Sequence, residues 1–483
     1  MALVLAAGPA GNPAAQAESP ATPAATSAAA SAPFYLSAPG RATAFRWGNE
    51  KRVYVDLGLR LVAQNEPFEL WSQRKTYDDR IVTEWRRKSG TVKLPTGTMW
   101  NFRGVPNFIK VTVRNQAGKI VHSKAHTVCL NGDGERVNPD ADARSPYPMG
   151  CPSNPYTTGS VQGLQKGWAT RLDLPSQMKL ANGKYRVTVA VDAKYRKLFG
   201  VPQSVGSRSF PLVIKKGTGE GELRGADNRS DGAIARPAAQ EPSSARGGRI
   251  DGPLPDLRSL PAFGIQVNEG GNYLRFSANV WNAGNSPLVV DGFRKRGEDH
   301  MDGYQYFFDS DGEQTGYEKV GKFHWHAAPT HNHWHFLDFA RYRLLKADKT
   351  NAVRSRKESF CLANTDAVDY TVPGADWRPE NTDLHTSCGE KDSLSIREVL
   401  SAGSGDTYQQ FRAGQSFNLK GLPNGVYYIA VEANPMGTLH ESNKNNNVRL
   451  RRIWIGGKPG ARTVHIPQVG IIKEHGTAEP HPH

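Results

Sequence analysis

The sequence contains few cysteines and no long hydrophobic run. No apolar stretch approaches the roughly 20 residues that a membrane-spanning helix requires, so we expect no transmembrane segment. Helical periodicity is equally scarce. Apolar and polar residues instead alternate in runs such as RVYVDLGLRL (52–61) and NFIKVTVRN (107–115), separated by glycine, proline and asparagine turns. This pattern is typical of half-buried strands and predicts an all-β protein.

Acidic residues are outnumbered by basic ones. The chain has 61 Lys and Arg against 46 Asp and Glu, which gives a formal net charge of +15. A basic surface can attract nucleic acid, an anionic polymer or an acidic protein. Because no nucleic-acid-binding motif accompanies the charge, we expect no nucleic-acid partner and favour an anionic cell-wall or matrix polymer. A solvated basic surface without a partner explains the charge equally well.

The four cysteines form two local pairs, Cys129 with Cys151 and Cys361 with Cys388. Two disulfides within domains are the simplest interpretation, and four free thiols are the alternative. Disulfides persist outside the cytoplasm. The first seventeen residues, MALVLAAGPAGNPAAQA, resemble the end of a secretory signal peptide with a small-residue cleavage site near AQA. We therefore expect a secreted or extracellular protein.

Composition divides the chain into five segments. Residues 1–33 combine the signal-like start with an Ala/Pro/Ser-rich stretch that we expect to be disordered. Residues 34–215 predict a β-sandwich-like domain, to which we assign packing or binding and no chemistry. A flexible linker is expected at 216–260, a second β-sandwich-like domain at 261–457, and a disordered tail at 458–483.

Five of the fourteen histidines lie in one short stretch, FHWHAAPTHNHWHF (323–336). His331, His333 and His335 alternate with other residues, so on a strand all three side chains share one face. Their nitrogens could then converge on one ion, and imidazole suits Zn, Cu, Fe and Ni. Three ligands leave coordination positions open for catalysis. Ordinary partly buried histidines, or a structural metal clip, are the alternatives.

His324 and His326 give a weaker signal. They could hydrogen-bond to metal-ligating groups, as the partners of ligating histidines do. They could equally mark a solvated strand end, and the sequence favours this second interpretation.

Motifs around the histidines follow one another in a characteristic order. These are LRFSANVWNAGNSPLVV (274–290), HNHWHFLDFARYRLL (331–345), KESFCL (357–362), the segment beginning GDTYQQ (405–435) and ESNKNNNV (441–448). The combination resembles the lysyl oxidase family, which are secreted copper amine oxidases carrying a self-made quinone. The resemblance covers roughly residues 262–455, so it implies a bacterial-type member with an extra N-terminal β-domain.

The resemblance implies specific roles for five residues. His331, His333 and His335 would bind copper, and Lys357 and Tyr408 would form the lysine tyrosylquinone cofactor. The implied activity is oxidative deamination of primary amines, with peptidyl lysine foremost, to aldehydes by O₂ with release of ammonia and hydrogen peroxide. Lys357 must be desolvated to present a neutral amine. Lys357 and Tyr408 are far apart in sequence, so only the fold can join them.

Two other functions fit the histidines alone. A non-enzymatic copper-binding surface or secreted protein would keep the metal site without the quinone. A hydrolytic zinc site is the third candidate, but no glutamate lies beside the cluster in an HExxH-like register. The sequence leaves open whether the substrate is a protein lysine, a peptide or a small amine.

Overall fold

The computed structural model describes residues 27–47, 50–174, 177–217, 240–327, 333–355, 359–378, 384, 386–412 and 414–474. Strands make up 48% of the structure and helices 3%, which confirms the all-β prediction. Among the described residues, no helix is long and apolar enough to cross a membrane.

The N-terminal half consists of fifteen described strands and three short helices. In chain order these are α1 (Ser27–Ala30), β1 (Phe34–Ser37), β2 (Ala42–Arg46), β3 (Val53–Tyr54), β4 (Arg60–Ala63), β5 (Phe68–Gln73), β6 (Val82–Arg87), β7 (Gly90–Lys93), β8 (Val105–Asn115), β9 (Ile120–Val128), β10 (Gly134–Arg136), β11 (Gly159–Leu164), β12 (Trp168–Arg171), β13 (Gln177–Met178), β14 (Gly183–Val191), α2 (Ala193–Phe199), α3 (Gln203–Gly206) and β15 (Ser207–Lys216).

Alternating side chains build the core of this half. In β14, Val187, Val189 and Val191 are buried while the residues between them are not, as a strand with one face on the core requires. Its largest sheet has the order β2–β15–β14–β8–β9, in which β15 and β2 are parallel. Aromatic rings fill the centre, and Phe68 lies 4.9 Å from Phe199 between ring centroids.

The C-terminal half continues with eighteen described strands. They are β16 (Arg246–Gly248), β17 (Leu257–Ser259), β18 (Phe263–Val267), β19 (Tyr273–Asn282), β20 (Leu288–Phe293), β21 (His300–Phe308), β22 (Gln314–His326), β23 (His333–Leu337), β24 (Ala340–Lys346), β25 (Asn351–Arg354), β26 (Ser359–Phe360), β27 (Asp366–Ala367), β28 (Ser395–Leu400), β29 (Ser404–Tyr408), β30 (Ser416–Asn418), β31 (Gly425–Ala433), β32 (Val448–Lys458) and β33 (Ala461–His465).

Three sheets of these strands enclose a second core. One has the order β26–β23–β22–β21–β20–β28 with β16 paired to β22. Another has the order β17–β19–β29–β27, and the third β25–β24–β31–β32–β33. Buried residues from all three sheets, such as Phe276, Phe336 and Ile429, belong to one apolar cluster. The histidine strand β23 therefore shares a core with the strand that carries Tyr408.

Three glycines make room for two rings beneath the histidine strand. Gly292, Gly303 and Gly321 lie side by side on β20, β21 and β22. A Cβ atom at Gly321 would lie 2.9 Å from the Phe336 ring, and one at Gly303 would lie 3.1 Å from both Phe323 and Phe336. The absence of side chains at these positions lets the Phe323 and Phe336 rings pack against the sheet, which fixes the strand that carries the histidines.

The two halves are hydrogen-bonded to each other through the backbone. The Thr158 N–H donates to the Val368 carbonyl at 2.9 Å, and the Tyr370 N–H donates to the Gly159 carbonyl at 3.2 Å. Trp71 of the N-terminal half packs edge-on against Trp377 at 5.5 Å between ring centroids. The N-terminal half is thus fixed onto the C-terminal half next to β27.

The end of the described chain returns to the N-terminal half. The Ile471 N–H donates to the Tyr77 carbonyl at 2.9 Å. Glu474 accepts hydrogen bonds from the Tyr156 hydroxyl at 2.5 Å and from the Arg451 guanidinium at 2.6 Å. Burial and the Glu474 carboxylate raise the pKa of Tyr156 well above its usual value, so Tyr156 stays a phenol and donates.

Several segments differ from the expected division. β16 and β17 lie within 216–260, which was expected to be a flexible linker, and they pair with β22 and β19. β33 lies within the tail expected to be disordered, and it pairs with β32. Backbone pairing with a neighbouring strand accounts for β16 and β33, since β16 is Arg-Gly-Gly and the buried side chain of β33 is Arg462, so neither carries an apolar pattern that the sequence could show. The signal-like residues 1–26, residues 218–239 and residues 475–483 lie outside the described residues.

Both predicted disulfides are present. Cys129 is bonded to Cys151 with a Cα–Cα distance of 5.8 Å, and Cys361 is bonded to Cys388 with a Cα–Cα distance of 6.0 Å. These Cα separations are typical of disulfides. Each bridge lies within one half of the chain, as predicted.

Candidate active site

Four histidines lie together on the β22–β23 pair. The antiparallel register places His324 opposite His335 and His326 opposite His333. The ring centroids of His326 and His335 are 4.9 Å apart, and those of His333 and His335 are 4.8 Å apart. Directly opposed residues of an antiparallel pair share one face of the sheet, so all four imidazoles are neighbours.

The structure places two of the three predicted metal ligands in this cluster. His333 is half-buried and His335 is fully buried on β23. Trp334 and Phe336 alternate with them and pack into the core. His331 lies outside the described residues. The metal-binding role of the three residues stays a prediction, while two of them occupy the shared face that such a role requires.

His324 and His326 do not form a solvated strand end. Both side chains are half-buried, and their rings lie 6.0 Å apart in the same cluster. The interpretation of a solvated strand end was wrong because it treated β22 in isolation. The signal was present in the sequence, since histidines spaced by two on both arms of a hairpin face the same way when the strands pair in that register.

Ser359 connects the cluster to the segment that follows Lys357. Its hydroxyl oxygen lies 3.0 Å from Nε2 of His324 and 3.4 Å from Nδ1 of His335. Ser359 begins β26, which pairs with β23 through the partners Phe336 and Phe360. Lys357 itself lies outside the described residues. The chain two residues beyond it therefore lies against the histidines.

Tyr408 reaches the same segment from the opposite sheet. Its hydroxyl oxygen accepts a hydrogen bond from the Cys361 N–H at 3.1 Å and lies 3.3 Å from the Cys361 carbonyl oxygen. Its ring meets Phe360 edge-on at 4.7 Å between ring centroids. β29 holds Tyr408 opposite Ala278 of β19. The segment from Ser359 to Cys361 thus lies between the histidine strand and Tyr408.

The Cys361–Cys388 bridge ties this segment to the histidine strand a second time. The Trp334 N–H donates to the Cys388 carbonyl at 3.0 Å. Cys388 is therefore bonded covalently to Cys361, which holds the Tyr408 hydroxyl. It is also hydrogen-bonded to Trp334, which lies between His333 and His335.

Two buried carboxyl groups lie close to Tyr408. Glu398 is fully buried on β28, and its carboxylate accepts a hydrogen bond from the Leu362 N–H at 2.9 Å. Burial raises the pKa of Glu398 well above its usual value, against the effect of the Leu362 hydrogen bond, and the Asp406 charge raises it further. Burial also raises the pKa of Tyr408, with further contributions from Asp406 and Glu398. The described residues therefore favour a neutral phenol and a neutral Glu398.

Sequence reasoning missed Glu398 and the role of Ser359. Ser359 stands inside the KESFCL motif, so its closeness to Lys357 was visible, but its contact with two histidines depends on strand pairing. Glu398 lies in SIREVL, where the only sign is a single acid among apolar residues. Its position beside Leu362 follows from the approach of β28 to the disulfide, which no local pattern encodes.

The side chains of the histidine cluster match the ligand type of the metal that the resemblance implies. Clustered imidazoles, one of them fully buried, suit a transition metal such as copper and do not suit Mg²⁺ or Ca²⁺, which prefer oxygen ligands. Glu398 lies within 4.8 Å of both Cys361 and Cys388, but those sulfurs are bonded to each other. The histidine cluster therefore suits copper by its donor type, although the group of three ligand atoms found within 4.8 Å of one another among the described residues is Cys361, Cys388 and Glu398.

Comparison with known proteins gives a matching result. Residues 308–459 match the model of the lysyl oxidase family. This region contains the four clustered histidines, Lys357 and Tyr408.

Part of the chain is also similar to a curated protein. The chain is 26% identical over 145 residues to lysyl oxidase homolog 3B of Danio rerio, and the aligned region is 28% of this chain. The matched region spans 16% of the relative's own length.

Proposed function

We propose that the C-terminal half is a copper-dependent amine oxidase that converts primary amines, peptidyl lysine foremost, to aldehydes. The observation that carries the proposal is the position of residues 359–361. This segment follows Lys357, contacts His324 and His335 through Ser359, and contacts the Tyr408 hydroxyl through Cys361. Three motifs that are separate in sequence are thereby brought to one place.

His331, His333 and His335 are the residues that would hold copper. With the quinone formed from Lys357 and Tyr408, copper would supply the chemistry by which a primary amine, O₂ and water become an aldehyde, ammonia and hydrogen peroxide.

The chain's own residues position the reacting groups. Cys361 fixes the Tyr408 hydroxyl with its backbone N–H, and the Cys388 bridge fixes Cys361. Ser359 orients His324 and His335, and the hydrogen-bonding partners of ligating histidines set ring orientation. Buried Glu398 holds a proton close to the phenol because burial disfavours its charged form.

Secretion fits the two disulfides and the signal-like start of the sequence. We therefore include an extracellular location in the proposal, with protein lysine or a small primary amine as substrate. The net charge of +15 would favour binding to an anionic cell-wall or matrix polymer.

Redox-cycling staining of purified, copper-loaded protein tests the proposal. A protein-bound quinone stains, whereas bound copper alone does not. We expect staining and amine-dependent peroxide from wild type, and neither from Lys357→Ala or Tyr408→Phe with copper content unchanged. His465→Ala, at an exposed position on β33, is the matched control. Stoichiometric copper without staining in wild type would favour the non-enzymatic copper-binding protein.

A further inference from the structure

Thr407, the residue before Tyr408, is held by three hydrogen bonds. Its N–H donates to the Thr365 hydroxyl at 2.7 Å. Its own hydroxyl donates to the Asp366 carboxylate and accepts from the Asn279 amide at 2.7 Å. Side chains alternate along a strand, so Thr407 faces away from the core that Tyr408 enters. The position of the Tyr408 ring therefore depends on how firmly Thr407 is held from outside.

Asp366 is held in turn by the N-terminal half. The Asn154 amide donates to the Asp366 carboxylate at 3.2 Å. Asn154 is itself fixed, because it is 7% exposed and its Oδ1 accepts from the Tyr156 N–H at 2.9 Å. Thr157, three residues along, donates its hydroxyl to the Ala367 carbonyl at 3.2 Å. Two adjacent residues of β27 thus receive hydrogen bonds from one turn of the N-terminal half.

The Asp366 carboxylate depends on these donors. Among the ion pairs of the described residues, none includes Asp366, and the donors to its carboxylate in that part of the chain are Thr407 and Asn154. Burial raises the pKa of Asp366, and the hydrogen bonds from Thr407 and Asn154 oppose that rise. Loss of the Asn154 donor would remove one of these two hydrogen bonds to the Asp366 carboxylate. Thr407 would then be bonded to a less firmly held carboxylate.

We propose that Asn154 is a positioning residue for Tyr408, so that the N-terminal half fixes the strand that carries the cofactor tyrosine through Asp366 and Thr407. The inference rests on the proposed role of Tyr408. It assigns to the N-terminal half a part in assembling the site, beyond the packing or binding that the sequence predicted. A displacement of about 1 Å in a reacting group can lower the reaction rate about 10²-fold. A contact that reaches Tyr408 only through Asp366 and Thr407 can therefore still change the rate.

The test uses Asn154→Asp in the full chain without copper. An aspartate keeps the acceptor for the Tyr156 N–H and, once ionised, replaces the donor to Asp366 with a second carboxylate. Thr158→Val is the matched control, because it removes another hydrogen bond between the halves, from Thr158 to Asp369 at 3.0 Å, that does not lead to Thr407. Hydrogen exchange of the amides in 365–367 and 404–408 is measured by mass spectrometry.

We expect Asn154→Asp to raise exchange in both segments by about tenfold or more and Thr158→Val to leave it unchanged. Unchanged exchange in Asn154→Asp, or an equal effect from Thr158→Val, would overturn the inference.

A second measurement separates this inference from the proposed function. After copper addition in air, quinone formation in Asn154→Asp should be about tenfold slower at unchanged copper content. If wild type forms no quinone, the proposed function fails while the exchange data still decide whether Asn154 positions Thr407. If wild type forms it and Asn154→Asp does so at the same rate, the positioning role fails alone.

Discussion

His324 lies directly opposite His335 across the β22–β23 pair, and both rings reach the hydroxyl of Ser359, at 3.0 and 3.4 Å. One side chain on β26 thus connects the two arms of the histidine hairpin. Because Ser359 is two residues after Lys357, the same contact joins the proposed metal site to the segment that carries the proposed cofactor lysine.

Ser359→Ala removes this connection. Of the two histidines that Ser359 contacts, His335 is a proposed copper ligand, and loss of the hydrogen-bonding partner of a ligating histidine typically weakens metal affinity 10–100-fold, so we expect a loss of about that size for copper. Competition with a chelator of known affinity measures it. Ser209→Ala, at the Thr188 contact on β15 in the N-terminal half, is the control. Equal copper affinity of the Ser359→Ala variant and wild type would show that Ser359 does not orient the ligands.

Glu398→Gln tests the buried carboxyl group through pH. The raised pKa of Glu398 means that its contribution to stability is fully present below the unfolded value near 4.5 and is lost as pH rises through the folded pKa. A glutamine can still accept from the Leu362 N–H but has no proton to lose. The free energy of unfolding of the variant, relative to wild type, should therefore grow with pH above 4.5 by up to about 1.4 kcal/mol per unit.

Urea unfolding at a series of pH values measures this difference, with Glu313→Gln at an exposed turn as the control substitution. A difference between Glu398→Gln and wild type that is the same at pH 4 and pH 7 would contradict a raised pKa.

Removal of the two disulfides separates stability from site assembly. Cys361→Ser with Cys388→Ser opens a loop of 27 residues, and Cys129→Ser with Cys151→Ser opens one of 22. Loop-closure entropy predicts a loss of about 3–4 kcal/mol in the free energy of unfolding for either pair. Only the first pair should also slow quinone formation, because Cys361 holds the Tyr408 hydroxyl. Equal rates of quinone formation in both double variants would argue against that positioning role.

Gly321→Ala tests the space beneath the histidine strand. The added methyl would lie 2.9 Å from the Phe336 ring, so the ring or the strand must move. Overpacking of this kind typically costs about 1–3 kcal/mol of the free energy of unfolding, and we also expect weaker copper binding because Phe336 follows His335. Gly40→Ala is the control, since a Cβ atom there meets nothing within 4 Å. Thermal unfolding and copper titration report the two effects.

Local patterns were sufficient for the strands and for much of the site. Alternation predicted an all-β chain, and the pairing of Cys361 with Cys388 followed from their closeness in sequence. The motif order placed His333, His335 and Tyr408 in one site, and the structure brings their segments together around Ser359 and Cys361.

Features that depend on contacts between distant strands could not be predicted. The position of His324 beside His335 required the register of β22 against β23. Glu398 required the approach of β28 to Leu362, and Asn154 required the docking of one half on the other. The histidine spacing on both arms of the hairpin signalled a shared face but not the register, whereas the sequence neighbours of Glu398 and Asn154 carry no sign of the partner.

Peptide mapping of copper-loaded protein tests the central claim most directly. Mass spectrometry after proteolysis should find the peptides that contain Lys357 and Tyr408 joined to each other in wild type, and unjoined when copper is withheld or when Tyr408 is changed to Phe. Copper-loaded wild type that produces peroxide from a primary amine while both peptides are recovered unjoined and unmodified would contradict the account.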